Sequence, residues 1–392
     1  MDSAELRELL SAGGLALLDS LPRYESSSDV VRSVADLRRA GHSPALVAAV
    51  LSQSRLRSRA TAKFGAFAER MLFTEAGLEQ ATRLSVAAQH ADRFRRAGIA
   101  QVADLGCGIG ADALALAALE IEVTAVERDE VTAAIAAYNL APWPNAHVEH
   151  SDAESFPLSG FGGVYLDPAR RDTKRKLRNP GDWSPTLDFA FDVASRHPTG
   201  IKLSPSVDRS LIPEDAEAQW VSHAGDVVEL GLWFGGLARE GVRRSALVLT
   251  AEGSAELSAG ADSDDEQSGA LGEYLYEPNG AVIRARLIGD LARRLNARML
   301  DPSIAYLTAD APSSSPFASC FRIIERMPLN TKTIARALKA RGIGTLEIKK
   351  RGVDIDPAEF RTSLGLRGEG SATLILTRIA GARAALIAER VG

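Results

Sequence analysis

The sequence predicts an α/β protein with a parallel, Rossmann-like sheet at its centre, a helical region before it and a small second α/β domain after it. Three observations support this fold class. Residues 1–97 have apolar side chains at helical spacing, residues 98–252 alternate short apolar strands with helices, and residues 317–392 resume a strand–helix alternation. Strands that alternate with helices are typical of a parallel sheet covered by helices.

The composition is that of an ordinary globular protein. Of the 392 residues, 45% are hydrophobic and 25% are charged, which excludes collagen-like, coiled-coil and wholly disordered chains. No apolar run approaches the ~20 residues that span a bilayer, and Asp2 and Glu5 stand where a secretory signal would be basic. The two cysteines, Cys107 and Cys320, are too few for a disulfide framework or a cysteine-based zinc site. We therefore expect a cytoplasmic protein with no membrane association and no metal.

The first 97 residues are expected to form a helical region. Ser43-Pro44 is a typical helix start, because a serine hydroxyl can cap the helix and proline is favoured at its first position. Another helix is expected over residues 78–98. It would end at Gly98, since glycine readily adopts the left-handed conformation that closes helices.

Seven strands are expected after this region, at the segments IAQVADL, IEVTAVE, AHVEHSD, GGVYLD, GIKLS, DVVELGLWF and SALVLTAE. The last two, near residues 226–235 and 245–252, resemble a hairpin that would close the sheet in antiparallel orientation. Residues 253–316 are expected to be an acidic loop and a connecting segment, because Gly, Ser and acidic residues dominate its start. In the last domain, helices are expected to begin at Asn330 and at Asp356-Pro357.

The glycine-rich segment after the first strand is the most informative motif. Asp104 is near the end of an apolar strand, and Gly106, Gly108 and Gly110 follow at every second position before a helix. Glycines at such a turn let the backbone approach a ligand more closely than a Cβ atom would allow. The pattern predicts a nucleoside-type site at the carboxyl ends of the strands.

Two further strand ends supply carboxylates to this predicted site. Glu127 ends the second strand, where a carboxylate can accept hydrogen bonds from both hydroxyls of a ribose. Asp152 follows the third strand, where it could accept one from the exocyclic amine of adenine. The first two glycines and Ala111 also fit the loose dinucleotide pattern, so a dehydrogenase is an alternative. Asp104 argues against it, because a carboxylate there repels a pyrophosphate and suits a cationic ligand.

At these residues the sequence resembles the class I S-adenosylmethionine-dependent methyltransferases, over about residues 75–252. Asp-Leu-Gly-Cys-Gly-Ile-Gly, at residues 104–110, is a specific form of their glycine motif. The resemblance implies a seven-stranded Rossmann-like sheet and S-adenosyl-L-methionine as the cofactor. It also implies that Asp104 and the glycine loop hold the methionine part, Glu127 the ribose and Asp152 the adenine. The expected cofactor-binding residues are Asp104, Gly106, Gly108, Gly110, Glu127, Arg128, Asp152 and Ala153.

The fourth strand ends at Asp167-Pro168, followed by Ala169-Arg170, and in the same family this position faces the methyl group and the acceptor. Amino-group methyltransferases of nucleic acids often carry Asp/Asn-Pro-Pro-aromatic here. The stacking ring is missing from this chain, although the Arg170 guanidinium could stack on a base. Carbon-5 methylation of pyrimidines is not expected, because it needs a cysteine nucleophile and the loop after the fifth strand has Ser204 instead.

Transfer to a ribose hydroxyl is a third possibility. Such enzymes use a Lys-Asp-Lys-Glu set to lower the pKa of the hydroxyl, and four residues occur here in that order: Lys63, Asp167, Lys202 and Glu229. The spacings are loose, and a chance order is the alternative. We expect alignment of the acceptor to matter more than acid–base assistance. The expected catalytic residues are Asp167, Pro168, Arg170 and Lys202.

Positive charge is concentrated in two places. Residues 317–392 contain 14 Lys/Arg and 7 Asp/Glu, a net +7, whereas the rest of the chain has 32 basic and 44 acidic residues, a net −12. Residues 170–178 form a second basic run directly after the fourth strand. This run would suit phosphates that flank a target base, with solvated surface as the alternative. Trp183, just beyond it, could stack on a base or lie in the core.

The C-terminal region is similar to the THUMP-like domain that accompanies one group of bacterial methyltransferases, in residues 327–332, 346–352, 360–366 and 372–376. True THUMP domains bind structured RNA, so the resemblance implies RNA handling; a packing or dimerisation module is the alternative. Residues 71–82 look like the segment before the glycine motif in that group. Four of them could close over the methionine end of the cofactor or be structural: Phe73, Thr74, Glu79 and Gln80.

The leading hypothesis is an S-adenosylmethionine-dependent methyltransferase that modifies a base or ribose of structured RNA, either tRNA or rRNA. RNA would contact the C-terminal domain and residues 170–178. A second hypothesis gives the enzyme a protein or small-molecule acceptor. A third makes the chain a catalytically weak RNA-binding or assembly factor. The motifs do not specify the oligomeric state.

Overall fold

Serine side chains begin two helices of the N-terminal region. Ser11 Oγ accepts a hydrogen bond from Gly14 N, and Ser43 Oγ accepts one from Leu46 N, which confirms the predicted Ser43-Pro44 start. The computed structural model describes residues 3–21, 34, 36–168, 171–172, 175–176 and 183–391. The helices of the region are α1 (Ser3–Leu9), α2 (Ala12–Ser20), α3 (Pro44–Phe64), α4 (Glu75–Gln80) and α5 (Leu84–Arg96).

The single helix expected over residues 78–98 is wrong, because residues 81–83 separate α4 from α5. The last carbonyls of a helix have no partner within the helix. Here Lys63 Nζ, from α3, donates hydrogen bonds to the carbonyls of Leu78, Glu79 and Ala81 at 2.9, 2.8 and 2.7 Å. This cation stabilises the C-terminal end of α4, which comes earlier in the chain than expected. The expected stop after α5 is confirmed, since Gly98 has a φ of +71°.

A parallel sheet forms the centre of the first compact unit, which comprises Met1–Leu203 and Gly231–Arg239. The strand order is β7-β4-β1-β2-β3, and each neighbouring pair is parallel, as predicted. The carboxyl ends of these strands therefore share one edge of the sheet. Its elements are β1 (Gln101–Leu105), α6 (Ala111–Ala118), β2 (Glu122–Glu127), α7 (Glu130–Leu140), β3 (Ala146–His150), β4 (Gly163–Leu166), β5 (Arg171–Asp172), β6 (Arg175–Lys176), α8 (Leu187–Ala194) and β7 (Thr199–Leu203).

Buried amide side chains fix the segment before α4. Asn139, on α7, accepts a hydrogen bond from Leu72 N at 2.8 Å and donates to the carbonyls of Leu72 and Ile109 at 3.1 and 3.0 Å. Gln53, on α3, accepts from Phe73 N at 3.0 Å and donates to Phe73 O at 2.7 Å. Because buried backbone groups without partners are costly, these bonds hold residues 72–73 beside the loop that contains Ile109.

The second compact unit comprises Ser204–Leu230 and Glu240–Gly392. It begins with β8 (Glu217–His223), the first part of β9 (Asp226–Phe234), β10 (Arg244–Thr250) and β11 (Gly253–Ala259). The predicted hairpin of residues 226–235 with 245–252 is wrong. One edge of β10 pairs with β8 in parallel and the other pairs with β11 in antiparallel, so no edge of β10 is left for β9. The loop expected from residue 253 is also wrong at its start. Pairing with β10 and the complete burial of Leu257 make this acidic segment a strand.

A seven-stranded sheet forms the rest of the second unit, with the order β13-β14-β12-β15-β18-β17-β16. The expected helix starts are confirmed: Asn330 accepts from Thr333 N, and Asp356 accepts from Ala358 N. A strand not expected from the sequence, β18, pairs with β17 in a hairpin. The elements are β12 (Tyr274–Pro278), α9 (Gly280–Arg284), α10 (Ile288–Leu295), β13 (Arg298–Asp301), β14 (Ile304–Ala309), β15 (Ala318–Pro328), α11 (Thr331–Ala340), β16 (Ile343–Lys350), α12 (Pro357–Leu364), β17 (Gly370–Ile379) and β18 (Ala382–Val391).

No helix in the described ranges is both long enough and apolar enough to cross a membrane.

Asn139→Leu is expected to lower the free energy of unfolding by roughly 2–5 kcal/mol, because it leaves buried backbone groups of Leu72 and Ile109 without partners. Urea unfolding measures this loss. Asn145→Leu is the comparison: Asn145 is half-buried and donates only to the carbonyls of Ala117 and Ile121. We expect a smaller loss there. Equal losses for the two variants would contradict the role given to Asn139.

Candidate active site

Three glycines turn the chain from β1 into α6. Gly106, Gly108 and Gly110 have φ values of +81°, +55° and +85°, in the left-handed region that favours glycine. The carbonyl of Val126, on β2, accepts hydrogen bonds from Gly106 N at 2.9 Å and Cys107 N at 3.1 Å, which anchors the turn. A Cβ atom added to Gly108 would meet no atom within 4 Å. The loop therefore has open space beside it, at the edge of the sheet where the parallel strands end.

Asp104, on β1 just before this turn, is a buried carboxylate with an unused acceptor. The residue is only 1% exposed, and its Oδ2 has no hydrogen-bond partner among the described residues. Burial raises the pKa of Asp104 well above its usual value, and the charges of Asp112 and Asp167 raise it further. Buried polar atoms normally have partners. The arrangement therefore fits a ligand whose ammonium group would donate to Oδ2.

Glu127 lies beside the glycine loop, as the sequence predicts. Its Oε2 accepts a hydrogen bond from Gly108 N at 3.1 Å, and its Oε1 accepts one from Asp129 N at 2.9 Å. Burial raises the pKa of Glu127, while these two amide hydrogen bonds lower it. Each carboxylate oxygen retains a further acceptor position, so the group can still bind hydroxyls. The next residue, Arg128, is exposed, and its carbonyl accepts from His150 Nε2 at 3.0 Å.

Asp152 and Ala153 follow β3 at the same edge of the sheet. Asp152 is exposed, and its Oδ1 accepts a hydrogen bond from Glu154 N at 2.8 Å. Ala153 is largely buried. The strand ends of β1, β2 and β3 thus supply, in order, a buried carboxylate, a half-buried carboxylate and an exposed one.

Asp167 and Lys202 form an ion pair at the ends of β4 and β7. Their side chains are 31% and 12% exposed. A Cβ atom at Gly106 would lie 3.4 Å from the Asp167 carbonyl oxygen, so the end of β4 lies directly against the glycine loop. Pro168 is buried. Arg170 lies outside the described residues, as do residues 173–174 and 177–182.

The contacts of Lys63 argue against the possibility that it belongs to a Lys-Asp-Lys-Glu set and favour a chance order. An ammonium group has three donors, and the three hydrogen bonds to the end of α4 use all of them. Burial, together with the charges of Arg83 and Lys202, lowers the pKa of Lys63 to about 8. Glu229, the last member of that order, belongs to the second compact unit.

Phe73 and Thr74, in the segment before the glycine motif, make structural contacts. Phe73 is fully buried, with its ring centroid 5.6 Å from that of Phe64. Thr74 Oγ1 accepts a hydrogen bond from Gly77 N and begins α4. Glu79 and Gln80 are exposed. Trp183 is 3% exposed, which supports the core alternative for this side chain.

Sequence reasoning missed a buried polar network beside the Asp167–Lys202 pair. Thr82 Oγ1 accepts a hydrogen bond from Lys202 Nζ at 2.9 Å and donates to Asp112 Oδ2 at 2.6 Å. Asp112 Oδ1 lies 2.8 Å from His90 Nδ1, which lies 2.9 Å from Tyr165 Oη. Burial opposes the ionisation of Asp112, but the hydrogen bond and charge of His90 hold its pKa below the usual value. The position of Asp112, directly after the glycine motif, is the one signal in the sequence that pointed here.

A parallel sheet with a glycine turn after its first strand, a buried carboxylate before the turn and another at the next strand end defines a nucleoside-type cofactor site. The C-terminal residues 318–390 match the family model described as THUMP domain-like. Residues 2–60 match a domain of unknown function, DUF8688.

The chain is 33% identical, over 333 residues, to two uncharacterized S-adenosylmethionine-dependent methyltransferases of Mycobacterium tuberculosis, from strains CDC 1551 / Oshkosh and ATCC 25618 / H37Rv. Each match covers 83% of this chain and 90% of the relative. The fold is also that of a "putative methyltransferase" from Porphyromonas gingivalis W83. That crystal structure has a TM-score of 0.71, 21% identity and coverage of 94% of this chain and 99% of that one.

The chain therefore belongs to the S-adenosylmethionine-dependent methyltransferases, which take the transferred methyl group from S-adenosylmethionine. The predicted fold class is confirmed with it.

Asp104→Asn is expected to raise the free energy of unfolding of the cofactor-free protein at neutral pH. The raised pKa means that the folded state binds the Asp104 proton more tightly than the unfolded state does. The stabilisation from this proton is complete below the unfolded pKa of about 3.9 and is lost as the pH rises through the folded pKa. The advantage of the variant should therefore be near zero at about pH 4 and should grow with pH.

Urea unfolding between pH 4 and pH 8 measures this difference. Glu149→Gln, which removes an exposed carboxyl on β3, is the control and should show no such growth. A wild-type protein that is more stable than Asp104→Asn at neutral pH would contradict the electrostatic account of this carboxylate.

Proposed function

We propose that this protein transfers the methyl group of S-adenosylmethionine to a base or a ribose of structured RNA, either tRNA or rRNA. The observation that carries the RNA assignment is a basic face of α11, within the THUMP-like region, whose cations form no ion pairs with the residues that the structure describes. The residue roles below are part of the same proposal.

The cofactor would be held by the ends of β1, β2 and β3. Asp104 Oδ2 would accept a hydrogen bond from the ammonium of the methionine part, because it is a buried acceptor with nothing else to bind among the described residues. The backbone at Gly108 would approach the cofactor closely, since no side chain fills that space. Glu127, with Arg128 next to it, would bind the ribose hydroxyls. Asp152 and Ala153 would border the adenine.

The acceptor would be aligned by the end of β4. S-adenosylmethionine supplies an electrophilic methyl group on a sulfonium, so the reaction depends mainly on correct placement of the attacking atom. Asp167 would accept a hydrogen bond from the amine or hydroxyl of the acceptor. Lys202 would hold this carboxylate in place through their ion pair. Pro168 fixes the backbone just beyond Asp167, and Arg170 stays a candidate for stacking on a base.

The charge on the second unit supports RNA as the substrate. On α11, Ile334 and Leu338 are buried, whereas Lys332, Arg336 and Lys339 are exposed on the opposite face. Within the described chain none of these three cations has a carboxylate within ion-pair distance. They are spaced at i, i+4 and i+7, which places them on one side of the helix. Three free cations in a row suit consecutive phosphates.

The basic sequence at residues 349–351 is a weaker candidate for RNA binding. Lys349 Nζ forms ion pairs with Glu277 at 2.6 Å and Glu347 at 3.4 Å. The guanidinium of Arg351 lies 5.2 Å from the centre of the Tyr306 ring. Both cations thus already have partners within the second unit, so α11 is the better choice for a test of RNA binding.

The first experiment measures methyl transfer from labelled S-adenosylmethionine to RNA, protein and metabolite fractions of a strain that lacks the gene. We expect label in one RNA class. Asp167→Ala should bind the cofactor normally and lose transfer, whereas Asp104→Asn should bind it at least ~10-fold more weakly, because a charge-assisted hydrogen bond of about 1.5–3 kcal/mol is lost. Calorimetric titration gives the cofactor affinity.

Label only in protein or metabolites would reject RNA as the acceptor and support the second hypothesis. Normal transfer by Asp167→Ala would contradict the role proposed for this carboxylate. Normal cofactor affinity of Asp104→Asn would contradict the proposed ammonium site.

A second experiment tests the basic face of α11. The triple variant Lys332→Ala/Arg336→Ala/Lys339→Ala should weaken RNA binding and reduce the slope of log K against log salt by about 2–3, near one unit per lost phosphate contact. Filter binding at several salt concentrations measures the slope.

The control removes the same charge from arginines that are already paired with carboxylates. It is the triple variant Arg293→Ala/Arg298→Ala/Arg322→Ala, whose partners include Glu266, Asp310 and Glu389. We expect this control to change the slope much less. Equal effects of the two triple variants would show that net charge, and not the α11 face, determines binding.

A further inference from the structure

A continuous chain of polar side chains leads from the Asp167–Lys202 pair into the interior of the first unit. Lys202 Nζ contacts Thr82 Oγ1, and Thr82 Oγ1 contacts Asp112 Oδ2. His90 Nδ1 then contacts Asp112 Oδ1. Thr82, Asp112 and His90 are 6%, 7% and 3% exposed, so water contributes little to these contacts.

The chemistry of the groups fixes the direction of each hydrogen bond. A lysine ammonium only donates, so Thr82 Oγ1 accepts from Lys202. The threonine hydroxyl has one proton, and an ionised carboxylate only accepts, so that proton is directed to Asp112 Oδ2. The His90 Nδ1 proton is directed to Asp112 Oδ1 for the same reason. Both oxygens of Asp112 are thus engaged, and the hydroxyl of Thr82 has no freedom to turn away from Lys202.

Lys202 needs such a restraint. Its side chain is a flexible four-carbon stem, and an ion pair with one carboxylate does not define the position of the ammonium group at its end. Asp167 fixes one of its donors and Thr82 fixes another. Successive hydrogen bonds also polarise one another in a buried network, so the charge of Asp112 strengthens Thr82 as an acceptor.

We propose that Thr82 is a positioning residue of the methyl-transfer site. Its hydroxyl, oriented by Asp112 and His90, holds the Lys202 ammonium against Asp167 and so fixes the carboxylate that aligns the acceptor. This inference rests on the proposed role of the Asp167–Lys202 pair, and it assigns a function to the break between α4 and α5, where Thr82 lies. Asp112 is in the first turn of α6, so the same contacts connect the glycine loop with the acceptor end of the site.

The test uses the full-length protein with Thr82→Val, which keeps the shape of the side chain and removes the hydroxyl, and Thr82→Ser, which keeps the hydroxyl. Thr377→Val is the matched control, because Thr377, in the second unit, is also buried and its hydroxyl has no partner among the described residues. The first readout is the rate of trace acetylation of Lys202 by acetic anhydride. It is measured by peptide mass spectrometry relative to exposed Lys332 and needs no acceptor. The second is the rate of methyl transfer at increasing S-adenosylmethionine, into the fraction that the wild-type protein labels.

In Thr82→Val, we expect acetic anhydride to acetylate Lys202 about fivefold faster than in the wild type. This factor is the equivalent of one lost hydrogen bond. The kcat of this variant should fall by ~10–100-fold while KM for S-adenosylmethionine stays within about twofold, because misplacement of an aligning group affects turnover and not cofactor affinity. Thr82→Ser should restore both values, and Thr377→Val should match the wild type. If valine does not permit folding, as judged by thermal unfolding, Thr82→Ala is used in its place.

Unchanged acetylation of Lys202 and unchanged kcat in the folded variant without the hydroxyl would overturn the proposal. So would a folded Thr82→Ser that behaves like Thr82→Val. A wild-type protein that labels no RNA rejects RNA as the acceptor, but faster acetylation of Lys202 in Thr82→Val would still support the positioning role. The two failures are therefore distinguishable.

Discussion

The concentration of three carboxylates, two of them buried, near one ammonium group is the constraint on which the site depends. The charges of Asp112 and Asp167 raise the pKa of Asp104, and the charge of Lys202 lowers the pKa of both Asp104 and Asp112. Lys202 forms an ion pair with Asp167, and it reaches Asp112 through Thr82. Asp104 keeps a buried oxygen without a partner among the described residues. A cationic ligand at this oxygen would therefore complete a charge balance that the protein alone leaves incomplete, and ligand binding would be favoured at the expense of cofactor-free stability.

The parallel sheet makes this concentration of charge possible. Parallel strands end at one edge, so residues far apart in sequence converge there. The left-handed turn at Gly106 allows the end of β4 to approach the loop, since any side chain at Gly106 would be strained and would contact the Asp167 carbonyl. The helical region contributes by restraint. Asn139 and Gln53 fix residues 72–73 by hydrogen bonds to their backbone, and Lys63 ends α4 early enough to leave Thr82 between two helices.

The first unit was largely predictable from sequence because β1, β4 and β7 are buried along nearly their whole length and the candidate site residues lie at strand ends. β8 was missed for the opposite reason: its buried positions include Glu217, Gln219 and Ser222, which give no apolar pattern. Hydrogen bonds to residues that are distant in sequence stabilise such buried polar side chains. Asn279 Nδ2, for example, donates a hydrogen bond to Ser222 Oγ. The contacts of Thr82 were hidden in the same way, since its two partners are 30 and 120 residues away. A lone threonine carries no pattern, and only the folded chain shows what it binds.

Net charge is a poor guide to where a polyanion would bind on this protein. The +7 of residues 317–392 includes the charge of Lys349, which forms an ion pair with Glu277, a carboxylate outside this range. The affinity for a polyanion depends on the number of phosphates that replace counterions at free cations. A cation paired with a carboxylate must break that pair first and gains little. The geometry of α11 places three exposed cations, none of which forms an ion pair among the described residues, opposite the apolar face that packs inward, and for this reason we propose this face, and not the net charge of the domain, as the place to test.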